Sequence, residues 1–138
     1  MGEAPITSTF VSQVVPLGFA DAADSADRLT GSEIAAGRAR LQFKQRIGDG
    51  LAGAVWYEGV LRTGHRLLPS VHVDIVVSPW SAGRTEIGLR PLSRIGRPES
   101  LRAGRFFDAA WAVLPRLLEQ LALGRPAETP VTTGLVAA

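Results

Sequence analysis

Apolar and polar residues alternate along the middle of the chain, from Arg38 to Leu92. In the first run, the polar residues Arg38, Arg40, Gln42, Lys44 and Arg46 alternate with the apolar residues Ala39, Leu41, Phe43 and Ile47. Successive side chains of a strand point to opposite faces, so a period of two predicts a sheet with one buried and one solvated face. Four consecutive strands are predicted, over Gly37–Ile47, Ala52–Leu61, Val71–Val77 and Arg84–Leu92.

The segments around these strands predict further elements and turns. Residues with branched β-carbons predict an opening strand over Ile6–Val15, and apolar residues at helical spacing predict a helix over Gly18–Leu29. A short helical turn is expected over Ser32–Ala36. Glycine, proline and polar residues mark the connections, which are a hairpin turn at Gly48–Gly50, a loop at Arg62–Pro69 and a turn at Ser78–Gly83.

A long helix is predicted over Leu101–Leu123, with an apolar band wide enough to cover the apolar face of the sheet. The order of elements indicates an α+β fold in which a curved antiparallel sheet packs against a long C-terminal helix. We expect an N-terminal extension at residues 1–5, one domain at residues 6–123 and a disordered tail at residues 124–138. The tail contains two prolines and few large apolar residues, as is typical of a disordered terminus.

Composition narrows the classes of function. The 138 residues include no cysteine, which excludes disulfides and thiolate chemistry, and a hydrophobic fraction of 46% is typical of a globular domain. The net charge is only +2 and no long basic run occurs, so no nucleic-acid partner is expected. Neither a signal peptide nor an apolar run of roughly 20 residues is visible, which favours a cytoplasmic protein without a membrane span. Two histidines without a spaced set of further ligands predict no metal or cofactor.

Two stretches carry a resemblance to a known family. The segment Val73–Leu89, with the sequence VDIVVSPWSAGRTEIGL, is followed by the aromatic segment Phe106–Trp111 in the last helix. In this order the chain resembles the START-like or polyketide-cyclase-like (SRPBCC, helix-grip) superfamily over residues 6–123. The resemblance implies a curved sheet that wraps around the last helix, with an apolar cavity between the two. The family has six strands where the pattern above predicts four in the meander. The main rival is a cone-shaped nuclear-transport-factor-like or cystatin-like fold, in which the long helix comes first.

The resemblance implies a domain that binds or carries a small hydrophobic molecule, such as a lipid or a polyketide-like metabolite. The side chains expected to line the cavity are Trp56, Tyr57, Val73, Ile75, Leu89, Phe107, Trp111 and Leu114. No catalytic residue is assigned, and the sequence leaves homo-oligomerisation open. Strand alternation leaves open whether Trp56 or Tyr57 faces the core, although the row of Val55, Tyr57 and Leu61 is the more apolar one.

Two other functions remain open from the residues. His72 and Asp74 point to the same face of a strand and form either half of an acid–base pair or part of a solvated charged face. Glu58 is either a carboxylate near the cavity or an ordinary surface residue. A cyclase-like or dehydratase-like enzyme would need two of Glu58, Asp74, His72 and Tyr57 to converge in one cavity. A protein-interaction domain would instead use the arginine-rich face or Trp80.

Overall fold

The computed structural model describes residues 11–49, 53–66, 68–92 and 101–123. The elements within these ranges are β1 (Val11–Val15), α1 (Phe19–Leu29), β2 (Glu33–Ala36), β3 (Ala39–Asp49), β4 (Val55–His65), β5 (Leu68–Ser81), β6 (Arg84–Pro91) and α2 (Leu101–Leu123). The predicted extension, the first half of the predicted opening strand and the predicted tail lie outside the described residues.

The six strands form one antiparallel sheet in the order β1-β6-β5-β4-β3-β2, curved into a half-barrel with α2 against its inner face. From β2 to β6 each strand pairs with the next one along the chain, as in a series of hairpins. The pairing of β1 with β6 is the long-range closure that places the start of the domain beside its last strand. The predicted α+β fold with a curved antiparallel sheet and a long C-terminal helix is confirmed.

The register of the sheet defines its two faces. Val11, Leu89, Ile75 and Tyr57 lie opposite one another on successive strands, and all four are buried on the inner face. The row of Tyr57 is therefore the core-facing row of β4, as its apolar composition favoured. Alternation then places Trp56 and Glu58 on the outer face. Glu58 is a surface residue and not a cavity carboxylate.

The inner face is closed by one stripe of α2. The buried residues of this stripe recur at the three- and four-residue spacing of one helix face, and they are Phe106, Ala109, Ala110, Val113, Leu114, Leu117 and Leu121. Register shifts in β3, after Phe43 and after Arg46, mark bulges. Bulges bend a strand and increase its twist, which helps the sheet to curve around the helix.

The prediction of a helical turn at Ser32–Ala36 is wrong, because Glu33–Ala36 forms strand β2. β2 pairs with β3 through a two-residue turn, and Ile34 lies opposite Leu41 so that it extends the apolar inner face. Helix nucleation is unfavourable, and four residues with one large apolar side chain bury too little surface to offset it. Pairing with β3 gives the same residues backbone hydrogen bonds directly. The meander therefore contains five strands instead of the predicted four.

The predicted loop at Arg62–Pro69 is also wrong in extent, because β4 continues to His65 and β5 begins at Leu68. Gly64 occupies a left-handed conformation with φ of 83°, and a β-carbon there would lie 2.7 Å from the Cβ of Arg38. The hydroxyl of Thr63 donates to the carbonyl of Leu68, which ties the two strands together near the turn. The glycine and the polar residues that suggested a loop instead form the end of a long hairpin.

The predicted turn at Ser78–Gly83 is likewise too long, since β5 extends to Ser81 and the turn is confined to Ala82 and Gly83. The register of β5 and β6 shifts between Pro79 and Ser81, so a bulge accommodates the proline inside the strand. The predicted hairpin turn at Gly48–Gly50 falls partly outside the described residues, because β3 extends to Asp49 and the description resumes at Gly53.

Candidate functional site

The residues expected to line a cavity lie in three different environments. Five of them, which are Tyr57, Val73, Ile75, Leu89 and Leu114, are each 0% exposed. A side chain without accessible surface touches no space that could hold a water-sized sphere, whether inside or outside the protein. Around these five side chains, α2 and the sheet are therefore in direct, dry contact.

The other three expected lining residues do not share that environment. Phe107 is partly buried and packs at the margin of the core. Trp111 lies on the exposed side of α2, where 45% of its surface is accessible. Trp56 lies on the outer face of the sheet, below the Arg90 guanidinium, whose central carbon is 4.5 Å from the ring centroid. Trp56 and Trp111 therefore do not face the space between helix and sheet.

The acid–base candidates do not converge in a cavity between helix and sheet, because His72, Asp74 and Glu58 lie on the outer face. His72 is exposed, whereas Asp74 is only 3% exposed and accepts a hydrogen bond of 3.0 Å from Arg90. Trp56 covers the same guanidinium, which explains how a carboxylate on the outer face is buried. The buried charge of Asp74 is compensated by Arg90 and not by His72.

Glu58 lies across from Asp74 on the outer face and accepts a hydrogen bond of 3.1 Å from the amide of Gln45. Tyr57 points the opposite way, and its hydroxyl donates to the Asp27 carboxylate at 2.6 Å. Burial, followed by the hydrogen bond to Asp27 and its negative charge, raises the pKa of Tyr57 well above the usual value of 10.0. Tyr57 is therefore held neutral and anchors α1 to the sheet.

One concave surface with a mixed apolar and polar lining is a groove between strand β2 and helix α2, with a volume of about 380 Å³. We call it the β2–α2 groove, and its lining residues are Leu29, Ser32, Glu33, Ile34, Ala35, Arg116, Glu119 and Gln120. Ile34 and Leu29 supply an apolar floor, while the α2 wall is polar. The volume falls within the range of small-molecule sites.

The backbone of β2 presents hydrogen-bonding groups to this groove. Ala36 and Ala39 close a two-residue hairpin turn, so they form a hydrogen-bonded pair, and the alternation of an antiparallel ladder makes Ile34 and Leu41 another. The N–H and C=O groups of Glu33 and Ala35 must then point away from β3. Since β2 is the last strand of the sheet, no other strand of the described part of the chain pairs with them.

The polar side chains around the groove form few and weak interactions with the other described residues. Arg116 and Glu119 form an ion pair of 3.4 Å, but their side chains are 61% and 63% exposed, so the pair contributes little to stability. The Glu33 carboxylate forms no ion pair and the Gln120 amide no hydrogen bond with any other described residue. These groups are free to contact a ligand.

A smaller depression of about 150 Å³ brings His65 and Asp108 to one surface, beside the turn between β2 and β3. The two side chains form no ion pair there, and the volume is below that of most ligand sites. No group of three His, Asp or Glu residues in the described ranges is arranged to hold a metal ion.

Sequence reasoning missed the β2–α2 groove, because it assigned Ser32–Ala36 to a helical turn. A signal was available: Ala36-Gly37-Arg38-Ala39 is a two-residue turn with apolar residues Ile34 and Leu41 at matched distances on either side. Nothing in the sequence indicated that Arg116 and Gln120 would line this groove, because they are ordinary polar residues on an amphipathic helix.

None of the helices in the described ranges is long and apolar enough to cross a membrane. No family model, curated protein or solved structure matches the chain.

Proposed function

We propose that this chain is a non-catalytic binding domain and that its ligand occupies the β2–α2 groove. The observation that carries the proposal is the combination, in one open space of about 380 Å³, of an apolar floor with backbone groups and polar side chains that have no or only weak partners among the described residues. Such a lining suits an amphipathic ligand, whose apolar part covers Leu29 and Ile34 while its polar part reaches Arg116 or Gln120.

A binding role is favoured over catalysis because the candidate acid–base residues do not converge in one cavity. Asp74 and Glu58 are engaged on the outer face, while Tyr57 is held neutral on the inner one. A cyclase-like or dehydratase-like enzyme would need two such groups to converge in one cavity.

The START-like resemblance supports a binding role, but it locates the ligand between helix and sheet. A ligand at that place would have to separate fully buried side chains of α2, such as Leu114, from fully buried side chains of the sheet, such as Ile75. The β2–α2 groove requires no such opening, so we place the ligand of this helix-grip-like domain there.

The proposal is tested by titrating ¹⁵N-labelled protein with three amphipathic probes, octanoate, hexanol and N-acetylleucinamide, and mapping the amide shift changes. We expect the changes to concentrate at Leu29, Ile34 and Gln120. Arg116→Ala should weaken octanoate binding at least about threefold, the loss of one exposed charge contact. Arg62→Ala is the matched control, because Arg62 is also an exposed arginine but lies outside the groove.

Shift changes centred on the core-facing side of α2, or the absence of any saturable change, would contradict a groove site. Equal effects of the Arg116 and Arg62 substitutions would show that octanoate responds only to overall charge.

A further inference from the structure

We propose that the natural occupant of the β2–α2 groove is an extended peptide that adds a strand to β2, with basic side chains outward and apolar side chains inward. The inference rests on the proposed function, since it names the class of ligand for the same groove.

The first argument is the open edge of the sheet. Glu33 and Ala35 each direct one N–H and one C=O toward the groove, as the register of β2 with β3 requires. Two donors and two acceptors in alternation match the backbone of an extended peptide, which adds to a sheet edge through such bonds. A small molecule with a single polar group would leave most of them unpaired.

The second argument is the shape of the space. An added strand lies about 4.8 Å from its neighbour and advances about 3.3 Å per residue. The groove runs along β2 and is walled on its other side by α2, through Arg116, Glu119 and Gln120. A groove between an edge strand and a helix holds a peptide on two sides, with backbone bonds on the strand and side-chain contacts on the helix.

The third argument concerns the side chains that such a peptide needs. Glu33 points outward, is exposed and forms no ion pair with any described residue, so the peptide residue opposite it should be basic. Ile34 points inward, so the next peptide residue should be apolar. An alternation of basic and apolar residues satisfies both requirements.

The charge of Glu33 also separates a foreign peptide from a second copy of this chain. If two β2 edges paired about a two-fold axis at Ile34, Glu33 would lie opposite Ala35 of the other copy. The two Glu33 carboxylates would then be diagonal neighbours on the same face, without any basic residue from β2 to compensate them. A basic peptide supplies the counter-charge that self-pairing lacks.

The test uses a fluorescein-labelled octapeptide of alternating lysine and valine, measured by fluorescence anisotropy against the full chain. The lysine amides should face β2, so N-methylation of the lysines should weaken binding at least about tenfold. N-methylation of the valines should leave binding within about twofold, because those amides face away. Hydrogen exchange at the Glu33 and Ala35 amides should slow when the peptide is bound.

Matched protein variants test the same bonds from the other side. Ala35→Pro removes an outward N–H, which an edge strand tolerates, and should abolish binding, whereas Ala35→Ser keeps the N–H and should bind normally. Glu33→Lys should weaken the lysine peptide and favour an octapeptide of alternating glutamate and valine. The circular dichroism spectrum of each variant should match that of the original protein.

Unchanged binding by Ala35→Pro, or no binding of the lysine–valine octapeptide, would overturn strand addition. If octanoate or N-acetylleucinamide still binds in that case, the groove function stands and only the peptide inference fails. If neither kind of probe binds, both fail. A further outcome is a dimer at the measured concentrations, which Ala35→Pro converts to a monomer. This result would show that the β2 edge pairs with a second copy of the chain, and it would overturn the peptide proposal.

Discussion

At the scale of single residues, the inner face of the sheet is packed so closely that one glycine is structurally required. Gly59 lies in the middle of β4, and a β-carbon built there would come within 2.8 Å of the Cδ1 atom of Ile75. It would also come within 3.1 Å of the backbone oxygen of Gln42, which cannot rotate away. The conflict is therefore one of space, because the backbone of Gly59 does not adopt a left-handed conformation.

We expect Gly59→Ala to lower the free energy of unfolding by about 1–3 kcal/mol, as overpacking of a dense core does. Urea denaturation measures this change. Ile75→Val removes the atom in closest contact, so the double variant should lose less stability than the sum of the two single variants.

The matched control is Gly104→Ala in α2, where a β-carbon meets no atom within 4 Å. This variant should gain about 0.5–1 kcal/mol, because alanine favours the helix. If Gly59→Ala is equally stabilising, the sheet is not packed as tightly as the distances indicate.

At the scale of elements, a small group of polar contacts attaches α1 to the sheet. The Tyr57 side chain passes from β4 through the core, and its hydroxyl meets the Asp27 carboxylate and, at 3.2 Å, the carbonyl oxygen of Ala23. Arg46 of β3 lies 3.5 Å from the same carboxylate, so two strands hold one end of the helix. The anchored end of α1 leads directly into β2 and thereby positions the groove.

Tyr57→Phe should lower the free energy of unfolding by about 1–2 kcal/mol at neutral pH, the worth of a hydrogen bond to a partly solvated carboxylate. The pKa of Tyr57 is raised on folding, so this contribution is complete below pH 10.0, where the unfolded chain is also protonated. Above pH 10.0 the folded state holds more protons than the unfolded state, and stability falls as pH rises.

The phenylalanine variant should lack that alkaline loss, and denaturation at several pH values compares the two slopes. Tyr57 is the only tyrosine of the chain, so tyrosinate absorbance reports this residue alone. Absorbance that rises near pH 10.0 while the protein is still folded would contradict the buried, hydrogen-bonded hydroxyl.

At the scale of the whole molecule, the helix-grip-like arrangement is filled with side chains where α2 meets the centre of the sheet. Leu114, Val113 and Phe106 of α2 are each 0% exposed, and so are the strand residues Ile75 and Leu89. A sheet that curves around a helix can enclose a ligand cavity or can close on the helix itself. Around these buried residues of the described part of the domain, the second arrangement holds.

We expect Leu114→Ala to open a dry cavity and to cost about 2–5 kcal/mol. Xenon should bind the variant and raise its melting temperature relative to air, whereas the original protein should not respond. Leu123→Ala is the control, since Leu123 is 76% exposed and its loss should change stability by less than about 0.5 kcal/mol. A rise in the melting temperature of the unsubstituted protein under xenon would instead indicate an internal cavity between helix and sheet.

The sequence predicted the elements whose signal is local and periodic. The three- and four-residue spacing in α2 identified the helix from Leu101 to Leu123, whereas the period of two in β4 predicted a strand but left open whether Trp56 or Tyr57 faces the core. It failed at β2, which has four residues and a single large apolar side chain, because so short a strand is recognised only by its partner. It also did not distinguish the exposed Trp111 from the buried Leu114. An aromatic residue at the margin of an apolar band lies either in the core or in solvent, and the sequence pattern is the same in both cases.

The sequence by itself therefore determined the α+β class, the antiparallel meander and the final helix, because side-chain periodicity depends only on neighbouring residues. Only the tertiary structure decided that β2 is an edge strand of the sheet, that Asp74 is buried beneath Arg90 and Trp56, and that α2 packs directly on the centre of the sheet. Those properties depend on which strands pair and how closely a helix and a sheet approach each other. They are set by contacts between residues far apart in the chain, which no local pattern records.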